Sequence, residues 1–176
     1  MPLAPMRLAL LTLAVAGCTT ARPDTAAAPG PPPAASEPVV MLERTPCYGR
    51  CPAYTVAAYA DGRVVWTGAQ HVGTTGPSEW RVAPAVVAGL VRQAETARHA
   101  AFPAMLDGPV ACPSFHTDGA GAVTTVRTAE AVHTVTHNRG CRGFAGEAAL
   151  VAFEDAIDRD LGTTPRVAGA NPDAPR

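Results

Sequence analysis

Short runs rich in Val, Thr and Tyr between residues 39 and 82 predict β-strands, because branched and aromatic side chains suit a pleated, half-buried surface. The turn signal Asp61-Gly62 stands between two of these runs and predicts a tight hairpin, since Gly accepts positive φ and Asp tolerates it. The predicted strands are Val39–Arg44, Ala53–Ala60 and Arg63–Thr67, with further edge strands at Gln70–Gly73 and Ser78–Val82.

Two later segments have the spacing of amphipathic helices. Pro84 fits a first helical turn, and an apolar stripe runs from Val86 to Ala97. A second helix is predicted over Phe144–Leu161, with Gly162 as its C-terminal cap. Between the helices, a proline-rich loop precedes a second predicted hairpin, made of Ala122–Thr128 and Val132–His137.

These elements follow one another in the order β-β-β-α-β-β-α. That order predicts an α+β domain, with a small antiparallel sheet of two β-hairpin units and two helices packed on one face. The folded part is expected to be a single domain over residues 39–162. Its length is sufficient for one hydrophobic core.

The N-terminus has the pattern of an export signal. Arg7 precedes an apolar run over Leu8–Ala16, and the small residues Val15-Ala16-Gly17 stand directly before Cys18. This resembles the lipobox of bacterial lipoproteins, which implies that residues 1–17 are a signal peptide and that Cys18 carries the lipid. An ordinary secretory signal is the alternative, because Ala14-Val15-Ala16 also fits its cleavage pattern. The apolar run is shorter than the roughly 20 residues that span a bilayer.

The segment over residues 18–38 contains many Pro and Ala residues and few large apolar ones. Such a composition cannot offset its ordering entropy, so we expect a disordered tether behind the lipidated terminus, and a disordered tail over residues 163–176. Thr19 follows Cys18, and by resemblance to sorted lipoproteins the absence of Asp there favours the outer membrane, facing the periplasm, over the inner membrane. The lipid at Cys18 would make the membrane a partner of the chain.

The formal net charge is −1 at pH 7, with no run of like charge. This balance argues against nucleic acid as a partner. No serine-hydrolase elbow, zinc-protease motif or phosphate-binding glycine loop occurs, so we expect neither an enzyme nor a bound cofactor or metal.

Beyond Cys18 the chain has an even number of cysteines, which favours disulfides in an exported protein. Three pairings are possible, and we favour Cys47–Cys51 with Cys112–Cys141. Tyr48-Gly49-Arg50, flanked by prolines, is suited to reversing the chain and bringing Cys47 to Cys51. The longer loop closed by Cys112–Cys141 would stabilise the fold by roughly 3–4 kcal/mol.

A different interpretation of Cys47 and Cys51 is a thiol pair. The spacing C-x-x-x-C-P resembles that of Sco-type copper chaperones, and soft thiolates select Cu(I). In that thioredoxin-like fold the motif leads into a helix, whereas here a predicted strand follows. The five histidines, which include His99, His133 and His137, are interpreted as scattered surface residues rather than as metal ligands.

The segment Leu42–Tyr54, followed by Asp61–Val64 and Gly68, resembles a family of bacterial envelope lipoprotein domains of unknown function. The family pattern is approximately R-x-P-C-[FY]-G-x-C-P-x-Y, then D-G-x-V. Later matching positions are Cys112, Thr117-Asp118, His137, Gly140-Cys141 and Ile157-Asp158, so that the resemblance extends over Val39–Gly162. The resemblance implies a small α+β domain without an established activity and transfers no catalytic residue.

Two hypotheses about function follow from the sequence. The first is a lipid-anchored, non-enzymatic envelope protein that displays a disulfide-stapled domain to an unknown envelope protein or ligand. Tyr48 and Arg50, at the tip of the Cys47–Cys51 turn, are its candidate binding surface, because aromatic and Arg side chains commonly anchor interfaces. The alternative is a Cu(I)-binding or thiol-redox protein that uses Cys47 and Cys51.

Overall fold

The computed structural model describes residues 37–168. Within this range the strands are β1 (Val40–Arg44), β2 (Ala53–Ala58), β3 (Arg63–Gln70), β4 (Gly76–Arg81), β5 (Met105–Leu106), β6 (Ser114–Phe115), β7 (Gly121–Arg127), β8 (Val132–Asn138) and β9 (Cys141–Arg142). The helices are α1 (Pro84–Thr96), α2 (Gly108–Ala111), α3 (Glu147–Leu161) and α4 (Thr164–Ala168), and a 3₁₀ turn covers His99–Ala101.

Seven strands form one mixed sheet in the order β4-β3-β2-β1-β7-β8-β5. Its strand pairs are antiparallel except β5 with β8, which is parallel. Strands β6 and β9 form a separate two-stranded antiparallel sheet. The prediction of a small antiparallel sheet of two hairpin units with two helices was therefore wrong, although the domain is mixed α and β.

The difference has two physical causes. Strand β1 pairs on one edge with β2 and on the other with β7, which joins the two hairpins into one sheet and leaves neither edge of β1 unpaired. The segment interpreted as a proline-rich loop contains β5, α2 and β6, which are two to four residues long. Elements of that length carry no hydrophobic periodicity from which they can be predicted.

The longer elements lie where the sequence predicts them, within a few residues. This holds for β1, β2, β3, β7, β8, α1 and α3. The Asp61-Gly62 hairpin turn is confirmed, with Gly62 at φ 86°. A Cβ atom at Gly62 would collide with the Val82 carbonyl oxygen, so this turn requires glycine. Gly162, also at positive φ, caps α3 as expected.

The core lies between one face of the large sheet and the helices α1 and α3. Leu42, Val56 and Trp66 stand side by side on adjacent strands, and Leu90 of α1 and Ile157 of α3 belong to the same buried cluster. A smaller cluster surrounds Cys112, Val135 and Cys141 near β8. Burial of these apolar side chains supplies the main driving force for folding.

The described structure continues beyond the predicted domain boundary at Gly162. Thr163 is buried and α4 follows it, with Arg166 buried against the ring of Trp80, so the folded part extends to Ala168. The predicted signal peptide, Cys18 and most of the predicted tether lie outside the described residues, as do residues 169–176. Within residues 37–168, none of the helices has the length and apolar character needed to cross a membrane.

Candidate functional site

The segment between β1 and β2 forms a small covalent ring closed by Cys47 and Cys51. Their Cα atoms are 5.6 Å apart, and the disulfide is formed as the sequence predicts. Gly49 takes a φ of 154° at the turn and donates its N–H to the Cys47 carbonyl oxygen at 2.9 Å. Tyr48 is 91% exposed at the tip, and Arg50 is also exposed. Both predicted surface residues therefore lie on this ring.

Backbone hydrogen bonds fix the ring to the loop before β7. The Tyr48 N–H donates to the carbonyl oxygen of Asp118 at 3.1 Å, and Asp118 itself takes a positive φ of 66°. Thr45 bonds Gly121 twice: its N–H donates to the Gly121 carbonyl oxygen at 3.1 Å, and its hydroxyl oxygen accepts from the Gly121 N–H at 2.8 Å. The ring is thus held by its disulfide and by the hydrogen bond of Tyr48, and the segment that leads into it is held to the start of β7 by Thr45.

Beneath the ring, Arg44 and Tyr54 stand opposite each other at the ends of β1 and β2 and meet Asp158 of α3. Arg44 donates to Asp158 Oδ2 from Nε at 3.0 Å and from Nη2 at 2.8 Å. The Tyr54 hydroxyl donates to Asp158 Oδ1 at 2.6 Å, and the Thr163 hydroxyl donates to the same oxygen at 2.8 Å. Asp158 therefore joins two strands to the C-terminal end of α3.

Glu154, one helical turn earlier on α3, is fully buried. Its Oε1 lies 2.7 Å from Nδ1 of His137, a hydrogen bond that fixes the imidazole ring on β8. Its Oε2 lies 3.6 Å from Arg44 Nη1 and 3.7 Å from Arg139 Nε, beyond hydrogen-bond length in both cases. Asp155 accepts a hydrogen bond from both Arg44 and Arg139. We call the whole group the Arg44 cluster; its members are Arg44, Tyr54, His137, Arg139, Glu154, Asp155, Asp158 and Thr163.

Two pKa values show the electrostatics of the Arg44 cluster. Burial alone would lower the pKa of the Arg44 guanidinium, but attraction and hydrogen bonding to Asp158, with smaller contributions from Tyr54 and Glu154, raise that pKa above its usual value. The pKa of Tyr54 is raised by burial first and then by the neighbouring Asp158. Arg44 is therefore a cation and Tyr54 a neutral hydrogen-bond donor at ordinary pH.

A cavity of about 270 Å³ lies between the ring and the Arg44 cluster. Its wall includes Cys51 and Pro52 of the ring side and the side chains of Arg44, Tyr54 and Arg139. The guanidinium groups offer hydrogen-bond donors, while Pro52 offers apolar surface. The arrangement is chemically suited to holding a polar group of a partner that contacts the ring.

The structure does not bring a metal-ligand set to Cys47 and Cys51, which are bonded to each other. Among residues 37–168, no group of three or more His, Cys, Asp and Glu side chains is arranged to hold a metal ion. A Cu(I) site at this position would first require reduction of the disulfide.

The second disulfide joins Cys112 to Cys141, with Cα atoms 5.1 Å apart, and confirms the favoured pairing. Unlike the ring, it is buried, and it belongs to the smaller apolar cluster with Leu106 and Leu150. It ties the end of α2 to β9. Its place in that cluster indicates a structural role.

The interpretation of the histidines as surface residues was wrong for His99 and His137, which are both buried. The burial of His137 could have been predicted from its position two residues after the apolar Val135, on the same face of the strand. Glu154 was also missed, although it lies four residues after Leu150 and three before Ile157, on the apolar stripe of α3. A carboxylate and an imidazole at core-facing positions indicate a buried pair.

Fold and site together define a small α+β domain in which an exposed disulfide ring stands over a buried cluster of ion pairs. The chain belongs to the family described as a domain of unknown function, DUF6438, whose model matches residues 38–160. No curated protein matches the chain. The expected membership in a domain family of unknown function is thus confirmed.

Proposed function

We propose that this protein is a lipid-anchored component of the bacterial cell envelope whose domain is a non-enzymatic binding module. In this proposal Cys18 carries the lipid, residues 18–38 form the tether, and the Cys47–Cys51 ring contacts an envelope protein or ligand. The outer membrane, facing the periplasm, is the proposed location. The family match begins at residue 38, the last residue of the proposed tether, which supports this division of the chain.

The observation that carries the binding role is the exposure of Tyr48 on a rigid support. A large aromatic side chain that is 91% exposed makes little contribution to the fold of its own domain. It is held on a ring with a covalent closure and an anchor to Asp118, so little conformational freedom remains to be lost when a partner binds. Tyr and Arg are also among the residues most enriched as interface anchors.

Site-specific photocrosslinking in the living cell tests the binding role. A photoreactive amino acid at position 48 is compared with one at Val110, which is 100% exposed on α2 and is not part of the ring. We expect a discrete crosslinked species from position 48 only, and we expect Arg50→Glu to weaken it. Equal labelling from both positions, or none from position 48, would overturn the proposed surface.

Two further measurements test the other parts of the proposal. Metabolic labelling with palmitate should mark the wild-type chain and be lost in Cys18→Ser. Alkylation of the exported protein without reduction, followed by intact mass measurement, should add no groups at Cys47 and Cys51. Two added groups at these positions would instead favour the thiol-redox or Cu(I) alternative, and copper titration would then decide between those two.

A further inference from the structure

Strand β4 is an open edge of the large sheet. It pairs with β3 on one side, and among residues 37–168 no strand pairs with its other side. The opposite edge is β5, which has only two residues and offers almost no template for pairing. Strand β4 has six residues, and none of them is buried. An open edge of this length is a place where another strand can add to the sheet.

The hydrogen-bond pattern shows which backbone groups of β4 face outward. Val82 donates its N–H to the Gly62 carbonyl oxygen at 2.9 Å, and such bonded pairs alternate along an antiparallel ladder. In the observed register, the N–H groups of Glu79 and Arg81 therefore face away from β3. Pro77 also faces outward, where its missing N–H costs the β3–β4 ladder nothing. Within the described chain, the N–H groups of Glu79 and Arg81 have no backbone partner.

The side chains of Glu79 and Arg81 lie two positions apart, on the same exposed face of this edge. They are 57% and 63% exposed, and each has only a loose ion pair within the domain. Glu79 Oε2 lies 3.9 Å from Arg63 Nη1, and Arg81 Nη2 lies 3.4 Å from Asp61 Oδ2. Surface pairs of this kind contribute little to stability, so both charges can turn towards a partner at the edge.

We propose that β4 pairs with β4 of a second copy of this chain, antiparallel about a twofold axis at Trp80. In this register Glu79 of each copy stands opposite Arg81 of the other, so the twofold gives two ion pairs between the copies. The outward N–H and C=O groups of the same two residues form the hydrogen bonds between the strands. The two large sheets become one continuous sheet across the dimer.

Charge complementarity selects both the second copy and the register. Charged residues usually protect an edge, because pairing of identical strands brings like charges together. A twofold axis at Glu79 or at Arg81 would do this, since each residue would then stand opposite its own copy. An axis at Trp80 instead brings unlike charges together and still places outward-facing backbone groups opposite each other. The sequence of this edge is therefore self-complementary in one register.

Cysteine crosslinking in cells that express the full chain tests this register. Glu79→Cys and Arg81→Cys are expressed together on chains with different affinity tags, and the cells are mildly oxidised before a non-reducing gel. Opposite residues of a hydrogen-bonded antiparallel pair have Cα atoms roughly 5.5 Å apart, within the range of a disulfide. Identical positions lie further apart in this register, so we expect the mixed dimer to exceed the dimer of either variant alone by at least about tenfold.

Charge reversal measures the two ion pairs, with sedimentation equilibrium of the purified full chain as the measurement. Glu79→Arg places two arginines opposite each other and should weaken dimerisation by about thirtyfold. Combining Glu79→Arg with Arg81→Glu inverts each pair and should restore the wild-type Kd. Glu43→Arg is the matched control, because it makes the same charge change at an exposed position of the central strand β1 and should leave the Kd unchanged.

Three outcomes would overturn the proposal. Absence of a mixed dimer, with both variants folded by circular dichroism, would exclude pairing of β4 with its copy. Equal crosslinking of each variant alone, or a double reversal that does not restore the Kd, would exclude the register at Trp80. A linked species with the mass of another protein would mean that the edge accepts a different partner. None of these results bears on Tyr48, which is not part of β4.

Discussion

The two ends of the helix-facing side of the large sheet differ in how densely their buried polar groups are paired. At one end, Arg44, Tyr54 and His137 belong to one cross-strand row and meet the carboxylates of α3. At the other end, His133 stands opposite Val126, and His99 has a single hydrogen bond and a cavity beside it. The first end, beneath the exposed ring, is joined by many ion pairs and hydrogen bonds, although three of its buried atoms, Arg44 Nη1, His137 Nε2 and Glu154 Oε2, have no hydrogen-bond partner. The second end has few polar contacts, and His99 Nδ1 is buried there without a partner.

Removing Arg44, the central cation of the Arg44 cluster, should strongly destabilise the fold. In Arg44→Ala the carboxylates of Glu154 and Asp158 lose their main counterion while buried or partly buried, and breaking such a pair from one side costs about 3–5 kcal/mol. Urea unfolding should show this loss. Arg127→Ala is the matched control: its ion pair with Glu37 is largely exposed, so its removal should cost under about 1 kcal/mol. Similar losses in the two variants would contradict a special role for the Arg44 cluster.

The two disulfides should also differ in their contribution to stability. Cys112 and Cys141 are 29 positions apart and buried, so in the chain-entropy model replacing both with Ala costs about 3–4 kcal/mol. Cys47 and Cys51 are 4 positions apart, and the same model gives about 2 kcal/mol for opening the ring. Thermal unfolding of the two double variants measures the difference. A larger loss from opening the ring would mean that the Arg44 cluster depends on it.

The sequence predicts the long elements and the disulfides because hydrophobic periodicity, turn residues and cysteine spacing are local signals. It does not predict the pairing of β1 with β7, since those strands are separated by most of the domain and their partnership depends on the whole sheet. For the same reason it does not predict that Arg44, His137 and Asp158 converge, although the resemblance included all three positions. The residues that line the cavity beside His99, at the end of α1, carry no motif, and only the fold brings Arg98 and His99 to Val126.

As the pH falls from 7, the first loss in the free energy of unfolding should come from the buried His99. The unfolded chain protonates His99 near pH 6.5, but in the folded state its pKa is about 4, with burial and His133 as the causes. Between these values the unfolded state binds more protons, so stability falls as the pH falls, by up to about 3 kcal/mol. The lowered pKa values of Asp61, Glu147 and Asp160 act at lower pH, where carboxylates protonate.

Urea unfolding between pH 7 and 4 measures this loss. His99→Gln should flatten the dependence on pH, whereas His116→Gln, at an exposed position, should leave it unchanged. An unchanged slope in His99→Gln would contradict a neutral, buried imidazole.

The smallest effect on stability is expected at the residue with the largest proposed role in binding. Tyr48→Ala removes a side chain that is 91% exposed, so the free energy of unfolding should change by less than about 0.5 kcal/mol. Tyr54→Phe removes only one hydroxyl, yet it should cost about 1.5–3 kcal/mol because that hydroxyl donates to the Asp158 carboxylate. Urea unfolding compares the two variants. A marked loss of stability in Tyr48→Ala would show that Tyr48 supports its own ring, and the case for a partner at this surface would then rest on Arg50 alone.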